Sequence, residues 1–370
     1  INLENEWLIL FNNLTKYQTL ALITFDDFLV PNLWMPPLYA YYLYFLSFLN
    51  LEGKSFINLV LFSQALLSSC SVILFYKIIR KFFSTKMSIF GSTILCFFPL
   101  YIYAAAQISS LVITIFLSLL FYFSFLKITE KSKLKYIFLF SIVAGLLILT
   151  RREFILILFL TIIYLFFFYK INFKKMLIIG VISTLTISPY LIRNYLIFDK
   201  IILQAGFGYN IWKGNNPESM VEGSLTLLPS PDLRKKLNTV KKDVYYRINE
   251  DKIYLKQAII YIEGDPKRYL KLYFVKMFSY FFIDLNSSKE NYYNPFHYIP
   301  VLLLSVFSLL GIYFSNKKSL FLNYFLLIML IYIFLIPIFA VLPRYKLYIV
   351  IFQIIFSLVF FKKILKAKLD

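Results

Sequence analysis

Long runs of apolar residues alternate with short basic gaps along most of this chain of 370 residues. Each run has about 16 to 22 residues, a length that carries an α-helix across a hydrocarbon layer of roughly 30 Å. A β-barrel would instead show segments of about ten residues in which apolar and polar positions strictly alternate. We therefore predict nine transmembrane helices, at positions 56–76, 87–106, 108–127, 135–150, 153–170, 176–196, 296–314, 320–341 and 345–362.

The composition supports a membrane protein, because 60% of the residues are hydrophobic and only 16% are charged, against roughly 25% in soluble domains. The net charge of +20 does not indicate nucleic-acid binding. Most lysines and arginines outside the loop at 197–295 lie in the gaps between spans, as the positive-inside rule expects of cytoplasmic loops. These basic gaps lie at 77–86, 127–135, 170–175, 317–318 and 362–368. Two cysteines, both inside apolar runs, imply no disulfide framework.

Consecutive spans must end on alternate sides of the membrane, and this parity divides the chain. Residues 1–55 are expected outside as amphipathic and interfacial helices, after a further span expected ahead of Ile1. A bundle of six spans fills 56–196, an external loop fills 197–295, and three spans fill 296–370. This parity predicts that the apolar stretch at 269–282 is an interfacial or re-entrant helix. The part of the loop before it is predicted to form two or three amphipathic helices. The predicted fold class is an all-α polytopic membrane protein.

Parity also places several charged residues together on the external side. Glu4 and Glu6 lie on a short amphipathic helix in which Leu3, Trp7, Leu10 and Leu14 recur at helical spacing. Parity places five cationic residues at the membrane boundary on this same side, namely Arg151, Arg152, Arg193, Lys276 and Arg344. Such a group of cations is suited to binding an anionic group such as a lipid phosphate. Taken singly, an arginine at a membrane edge is more often an anchor to lipid headgroups than a ligand, and a single glutamate more often lies on a solvated helix face.

The order of several short motifs is more informative than any one of them. A Pro-Pro-Leu-Tyr helix is followed by "FPLY", "GLLILTRREF", "SPYLIRNYLIF", "GYNIWKGNNP", "GDPKRYLKLYFVK" and "RYKLY". This order resembles the glycosyltransferase C superfamily, in particular bacterial enzymes similar to protein O-mannosyltransferases and to the lipid A aminoarabinose transferase. The resemblance covers essentially the whole chain apart from a first span.

The resemblance implies inverting transfer of a sugar from a polyprenyl-phosphate donor to a lipid, glycan or protein acceptor. Transfer would take place on the periplasmic side of the bacterial cytoplasmic membrane. Glu4 corresponds to the catalytic carboxylate, with Glu6 as its nearby alternative. The resemblance assigns donor-phosphate binding to Arg151, Arg193, Lys276 and Arg344, and substrate binding to Asn194, Asn215 and Tyr345.

The sequence departs from the family pattern at three places. Arg152 stands where proline is usual, and Tyr348 replaces the proline of the Arg-Tyr-Arg-x-Pro segment. Gln107, Ser109 and Ser110 replace the usual Thr/Ser-Glu after "FPLY". These differences bear on donor specificity.

Two other classes of function stay open, a lipid-linked glycan polymerase or ligase and a membrane transporter. A transporter would more often show internal repeats and ionisable residues deep within spans, and we find neither in the sequence. Asp26 and Asp27 form no recognisable metal set, so no metal ligands are assigned. A divalent cation held with Glu4 remains an alternative.

Overall fold

The computed structural model describes residues 5–25, 28–131, 133–223, 228–284, 287, 294–315 and 319–367. The chain forms two compact units. One comprises Ile1–Ile78, Tyr103–Gly206 and Lys241–Asn249, and the other comprises Ile79–Ile102, Phe207–Val240 and Glu250–Asp370. We call them the first and the second unit, and each is described by itself.

Helices dominate the described chain, with one pair of strands near its beginning. In chain order the elements are α1 (Glu6–Tyr17), β1 (Ala21–Phe25), β2 (Phe28–Pro31), α2 (Leu38–Ser47), α3 (Gly53–Ile79), α4 (Thr85–Cys96), α5 (Pro99–Ala105), α6 (Leu111–Glu130), α7 (Leu134–Thr150), α8 (Phe154–Tyr169), α9 (Phe173–Phe198), α10 (Phe207–Gly214), α11 (Pro231–Asn238), α12 (Tyr246–Gly264), α13 (Pro266–Phe281), α14 (Pro295–Tyr313), α15 (Leu320–Leu335) and α16 (Leu347–Ala367). Short 3₁₀ turns at Ile336–Ile338 and Pro343–Lys346 lie between α15 and α16.

Each predicted span is mainly helical, which confirms the all-α polytopic fold class, whereas the predicted number of nine spans stays a prediction. Six helical segments among the described residues are long and apolar enough to cross a membrane. The helices α4 and α5 make a seventh if they are counted as one span bent by 57°. This bend lies at Pro99, which lacks an amide donor and clashes with the preceding helical turn. The shorter apolar helices α7 and α8 have 17 and 16 residues.

The predicted helices outside the spans are also present. In α1 the side chains of Trp7, Leu10 and Leu14 are buried, as the helical spacing indicated, whereas Leu3 lies outside the described residues. The loop that we expect outside the membrane contains α10, α11 and α12 ahead of α13, and two or three helices were predicted there. The apolar stretch expected to be interfacial or re-entrant is α13, which is not among the six candidate spans.

A β-hairpin between α1 and α2 is the element that the sequence analysis missed. Its strands pair antiparallel, with Ile23 opposite Val30 and Thr24 opposite Leu29, and with a register irregularity between Ala21 and Ile23. β-Branched residues favour extended backbone, so the local sequence is compatible with strands. The run is too short to distinguish a strand from a helix by its periodicity alone.

Helices in the first unit pack through small residues. A Cβ atom added to Gly145 of α7 would lie 2.5 Å from Thr186 Cβ of α9 and 2.9 Å from the Ser183 carbonyl oxygen. The Ser183 hydroxyl donates to the Ser141 carbonyl across the same interface, over 2.9 Å. Glycine and serine permit this close approach of two backbones, which is how helices associate in an apolar solvent.

The second unit is built around α14 and α16, which also approach closely. A Cβ atom added to Gly311 of α14 would lie 1.7 Å from the Phe356 carbonyl oxygen of α16. Gln353 of α16 donates to the Ser305 hydroxyl over 3.2 Å and to the Phe281 carbonyl over 3.3 Å. The second contact connects the end of α13 to this helix pair.

We predict that Gly311→Ala destabilises the protein, because the new methyl group must push α14 away from a backbone carbonyl. The free energy of unfolding should fall by at least the roughly 1–3 kcal/mol that is typical of overpacking. Gly180→Ala is the matched control, since a Cβ atom at that position of α9 meets nothing within 4 Å. Thermal unfolding in detergent should show a lower midpoint for Gly311→Ala and an unchanged or slightly higher one for Gly180→Ala. Equal midpoints for the two variants would contradict this account of the packing.

Candidate functional site

The candidate site residues fall into separate groups, some in the first unit and some in the second. The first unit contains Glu6, Arg151, Arg193 and Asn194, and the second contains Asn215, Lys276, Arg344 and Tyr345. Glu4, the predicted base, lies outside the described residues. Its role therefore stays a prediction.

The second candidate carboxylate, Glu6, is the exposed first residue of α1. Asn5 caps this helix by accepting a hydrogen bond from the Trp7 amide over 2.9 Å. The Asn5 side chain also donates to the Ile108 carbonyl over 2.9 Å. The start of α1 is therefore tied to the segment that carries Gln107, Ser109 and Ser110 in place of the family's acidic residue.

A buried glutamine in α3 holds that same segment, and the sequence analysis did not single it out. Gln64 is 1% exposed and donates to the Gln107 carbonyl over 2.9 Å and to the Ala105 carbonyl over 3.3 Å. It accepts a hydrogen bond from the Tyr39 hydroxyl over 2.6 Å. The available signal was an amide side chain in the middle of an apolar span, since such residues are expensive in lipid and usually have a purpose.

Arg193 connects α9 to the β-hairpin and the turn after it. Its guanidinium donates to the Asn32 carbonyl over 3.2 Å, to the Leu20 carbonyl over 3.5 Å and to the Asn194 side chain over 2.7 Å. Asn194 is fully buried and donates to the Ile202 carbonyl over 2.6 Å. The structure thus brings these two predicted residues together, and it gives both of them protein partners.

The two consecutive arginines after α7 have different surroundings. Arg151 forms an ion pair with Glu153, two residues further on. Arg152 lines a narrow cleft together with residues that include Pro37, Tyr190 and Gln204. The position at which the sequence departs from the family pattern is therefore the one that faces this opening.

In the second unit, the predicted residues Lys276 and Asn215 are in contact. The Lys276 ammonium is fully buried and donates to the Gly214 carbonyl over 2.6 Å and to the Asn215 side-chain oxygen over 3.2 Å. The Asn215 amide donates to the carbonyls of Ile211 and Ile338, each over 2.9 Å. These bonds connect α13, the end of α10 and the segment after α15.

Glycine is required at position 214 of this turn. A Cβ atom there would lie 2.6 Å from the Phe339 carbonyl carbon and 2.7 Å from the Ala340 amide nitrogen. The motif "GNNP", which loop chemistry alone would explain, thus also provides a close backbone contact and an acceptor for a buried cation.

The segment Pro343–Lys346 is held by a lysine rather than by its arginine. Buried Lys346 donates to the carbonyls of Ser279, Tyr280 and Phe282 at the C-terminal end of α13. The Tyr280 hydroxyl donates to the Tyr345 carbonyl over 3.1 Å. Arg344 is exposed, with its guanidinium carbon 5.7 Å from the centre of the Tyr345 ring. Lys346 thus fixes the backbone from which Arg344 projects.

Electrostatics distinguish Lys276 from an ordinary lysine. Burial lowers the pKa of Lys276 to about 7. Among the ion pairs of the described residues, none involves this ammonium. No group of three potential metal ligands exists in the part of the chain that the structure describes. The arrangement therefore presents cations held by neutral oxygens, which is suited to an anionic ligand.

We predict a pH-dependent stability difference between the unchanged protein and Lys276→Met. The unfolded lysine keeps its proton up to its ordinary pKa of 10.5, whereas the native one loses it near 7. Between these values the unfolded state binds more protons, so the unchanged protein should gain stability as the pH rises, by up to about 1.4 kcal/mol per pH unit. The variant should lack this gain.

The measurement is thermal unfolding in detergent between pH 6.5 and 10. Lys271→Met removes an exposed lysine of the same helix and controls for the loss of one positive charge. Parallel pH profiles for the unchanged protein and Lys276→Met would show that burial does not shift the titration of Lys276.

Comparisons with known proteins agree with this architecture. Residues 35–192 match the family model described as dolichyl-phosphate-mannose-protein mannosyltransferase. No curated protein matches the chain. The oligosaccharyltransferase of Archaeoglobus fulgidus in the apo form has a TM-score of 0.53 and 13% sequence identity, over 98% of this chain and 47% of that chain.

Two further solved structures are similar. The Archaeoglobus fulgidus enzyme in complex with zinc and sulfate has a TM-score of 0.51 and 13% identity, over 90% of this chain and 41% of that one. ArnT from Cupriavidus metallidurans bound to undecaprenyl phosphate has a TM-score of 0.45 and 12% identity, over 99% of this chain and 73% of that one.

The present chain thus spans less than half the length of the oligosaccharyltransferase, and identities this low show the fold alone. The order of the sequence motifs, the matched segment and the similar fold agree with one another. They support the resemblance indicated by the sequence: this chain is a multi-pass membrane protein with a fold similar to that of the oligosaccharyltransferase, and its residues 35–192 match the mannosyltransferase family model.

Proposed function

We propose that this chain transfers a sugar from a polyprenyl-phosphate donor to a lipid, glycan or protein acceptor on the periplasmic side of a bacterial cytoplasmic membrane. The observation that carries the proposal is the match of residues 35–192 to a family model whose description names dolichyl-phosphate mannose as the donor. This segment begins just before α2 and ends in α9, and it contains Arg151, Arg152 and Tyr190.

The cationic residues suit a reaction in which phosphate is the leaving group. As the bond between sugar and phosphate breaks, negative charge grows on the phosphate oxygens, and a fixed positive charge lowers the energy of that transition state. Arg344 is our candidate for direct contact, because it is exposed on a segment that Lys346 holds in place. A guanidinium can also bind two phosphate oxygens at once.

The other proposed phosphate-binding residues already hold protein oxygens. Arg193 uses part of its five donors on Asn32, Leu20 and Asn194, and Lys276 uses two of its three on Gly214 and Asn215. These acceptors are neutral, so they do not cancel the positive charge of either protonated side chain, and burial lowers the pKa of Lys276 to about 7. Arg151 differs, because Glu153 compensates it. We propose that Asn194 and Asn215 contribute to substrate binding by holding Arg193 and Lys276 in position. We propose that Tyr345 contributes to substrate binding through its half-buried ring.

The proposed base is Glu4, with Glu6 as the alternative. A carboxylate can accept the proton of an acceptor hydroxyl or amine as that group attacks the sugar. Attack from the face opposite the phosphate inverts the anomeric centre, and no covalent enzyme intermediate is needed. The support for this role is that Asn5, the residue between the two glutamates, is fixed by its bonds to Trp7 and Ile108.

We predict that Glu4→Gln abolishes most sugar transfer in proteoliposomes that contain the purified full-length protein and a labelled polyprenyl-phosphate sugar. Loss of a general base typically costs about 10²-fold to 10⁴-fold in rate. Glu6→Gln tests the alternative base. Glu52→Gln is the control, since Glu52 is an exposed carboxylate just before α3.

Each outcome of this assay separates one class of function from another. Transfer by the unchanged protein that is lost in Glu4→Gln or Glu6→Gln, but kept in Glu52→Gln, supports the proposal and identifies the base. A transporter would move the lipid-linked sugar without transferring it. If the unchanged protein transfers no label to any acceptor class, the proposed function is wrong.

A further inference from the structure

Gln64 belongs to a closed set of contacts that leads to the first turn of α1, and all of these contacts lie within the first unit. Its side chain is 1% exposed inside α3, a helix long and apolar enough to cross a membrane. A buried amide costs free energy in such a place unless its donors and its acceptor are used. The site assigned from the sequence gives Gln64 no role.

The donors of Gln64 hold the end of α5 and the irregular segment 106–110 that follows it. They bind the Gln107 carbonyl over 2.9 Å and the Ala105 carbonyl over 3.3 Å. Carbonyl groups at the C-terminal end of a helix have no helical partner, and a side-chain amide can satisfy them. The Ser109 hydroxyl has no hydrogen-bond partner among the described residues, so it does not help to hold the segment.

From this segment the contacts continue to the start of α1. The Ile108 carbonyl accepts a hydrogen bond from the Asn5 side-chain amide over 2.9 Å. The Asn5 side-chain oxygen in turn accepts from the Trp7 amide over 2.9 Å and caps the helix. Asn5 therefore joins the segment 106–110 to the first turn of α1. In the sequence it lies between the two proposed bases.

A second connection between Gln64 and α1 passes through Tyr39 of α2. The Tyr39 hydroxyl donates to the Gln64 side-chain oxygen over 2.6 Å. The Tyr39 ring packs edge-on against the Trp7 ring, with 5.0 Å between the ring centres, and both rings are buried. The closed set of contacts thus runs through Gln64, Tyr39, Trp7, Asn5, Ile108 and Gln107.

We propose that Gln64 is a positioning residue for sugar transfer, which fixes the N-terminal end of α1 and, through Asn5, the carboxylate that accepts the proton. The inference rests on the proposed function and gives a role to a residue outside the sequence motifs. A general base acts only within hydrogen-bond reach of the proton that it removes. The ends of helices open easily, and a misplacement of 1 Å can cost about 10²-fold in rate.

The test is steady-state transfer of a labelled polyprenyl-phosphate sugar by the purified full-length protein in proteoliposomes. Gln64→Met keeps the approximate size of the side chain and removes both donors and the acceptor. We expect kcat to fall about tenfold to a hundredfold, with KM for the donor within about twofold, because the base acts in the transition state. Asn58→Met is the control, since Asn58 is an exposed amide of the same helix.

Tyr39→Phe is a second variant, and it carries the test if Gln64→Met does not fold. It removes one hydroxyl and leaves the ring against Trp7, so kcat should fall about threefold to tenfold. The double variant should be no slower than Gln64→Met alone, because both residues act through the same set of contacts. Two independent roles would instead multiply the two losses.

Amide hydrogen exchange separates positioning from a general loss of stability. In Gln64→Met the amides in the first turn of α1 should exchange about tenfold faster. Amides in the middle of α7, which packs against α9 in the same unit, should exchange at an unchanged rate. Asn58→Met should change neither rate.

The inference is overturned if Gln64→Met has the same kcat as Asn58→Met, or if it raises KM and leaves kcat unchanged. It is also overturned if the first turn of α1 keeps its exchange rate, or if the losses in the double variant multiply. In these cases the unchanged protein still transfers sugar, so the proposed function stands. If the unchanged protein transfers no sugar, the proposed function fails and the inference falls with it.

Discussion

The constraint on which this structure depends is an excess of cations over carboxylates, 39 lysines and arginines against 19 aspartates and glutamates. A buried cation must find acceptors, since desolvation without them costs too much free energy. Three buried or half-buried cations, Arg193, Lys276 and Lys346, donate hydrogen bonds to backbone carbonyl oxygens. Each of these contacts ties one element to another that is distant in sequence.

This choice of partner has a consequence for chemistry. A carboxylate would cancel the positive charge, whereas a carbonyl oxygen orients the cation and leaves its charge in place. Lys346 has a structural role, because it binds carbonyl oxygens at the C-terminal end of α13, where the helix dipole is negative. Arg344 is exposed on the segment that Lys346 holds in place, which is why we propose it for direct contact with the donor phosphate.

The sequence predicted the helices well because bilayer thickness fixes the length of an apolar run, whatever the run packs against. It did not predict what depends on distant partners. Arg193 and Asn32 are 161 residues apart, so neither the hairpin nor its attachment to α9 is visible locally. The same holds for Gln64, and for the difference between Arg151 and Arg152, which are adjacent in sequence yet differ in what their side chains face.

The central claim is that the N-terminal carboxylates and the cation before α16 act in one compartment outside the membrane. The most direct measurement is labelling of single cysteines with a membrane-impermeant maleimide, in a background that lacks the exposed Cys70 and Cys96. In intact cells, Glu4→Cys and Arg344→Cys should both react from outside, whereas Lys174→Cys should react only after permeabilisation. Reaction of positions 4 and 344 from opposite sides would contradict the account.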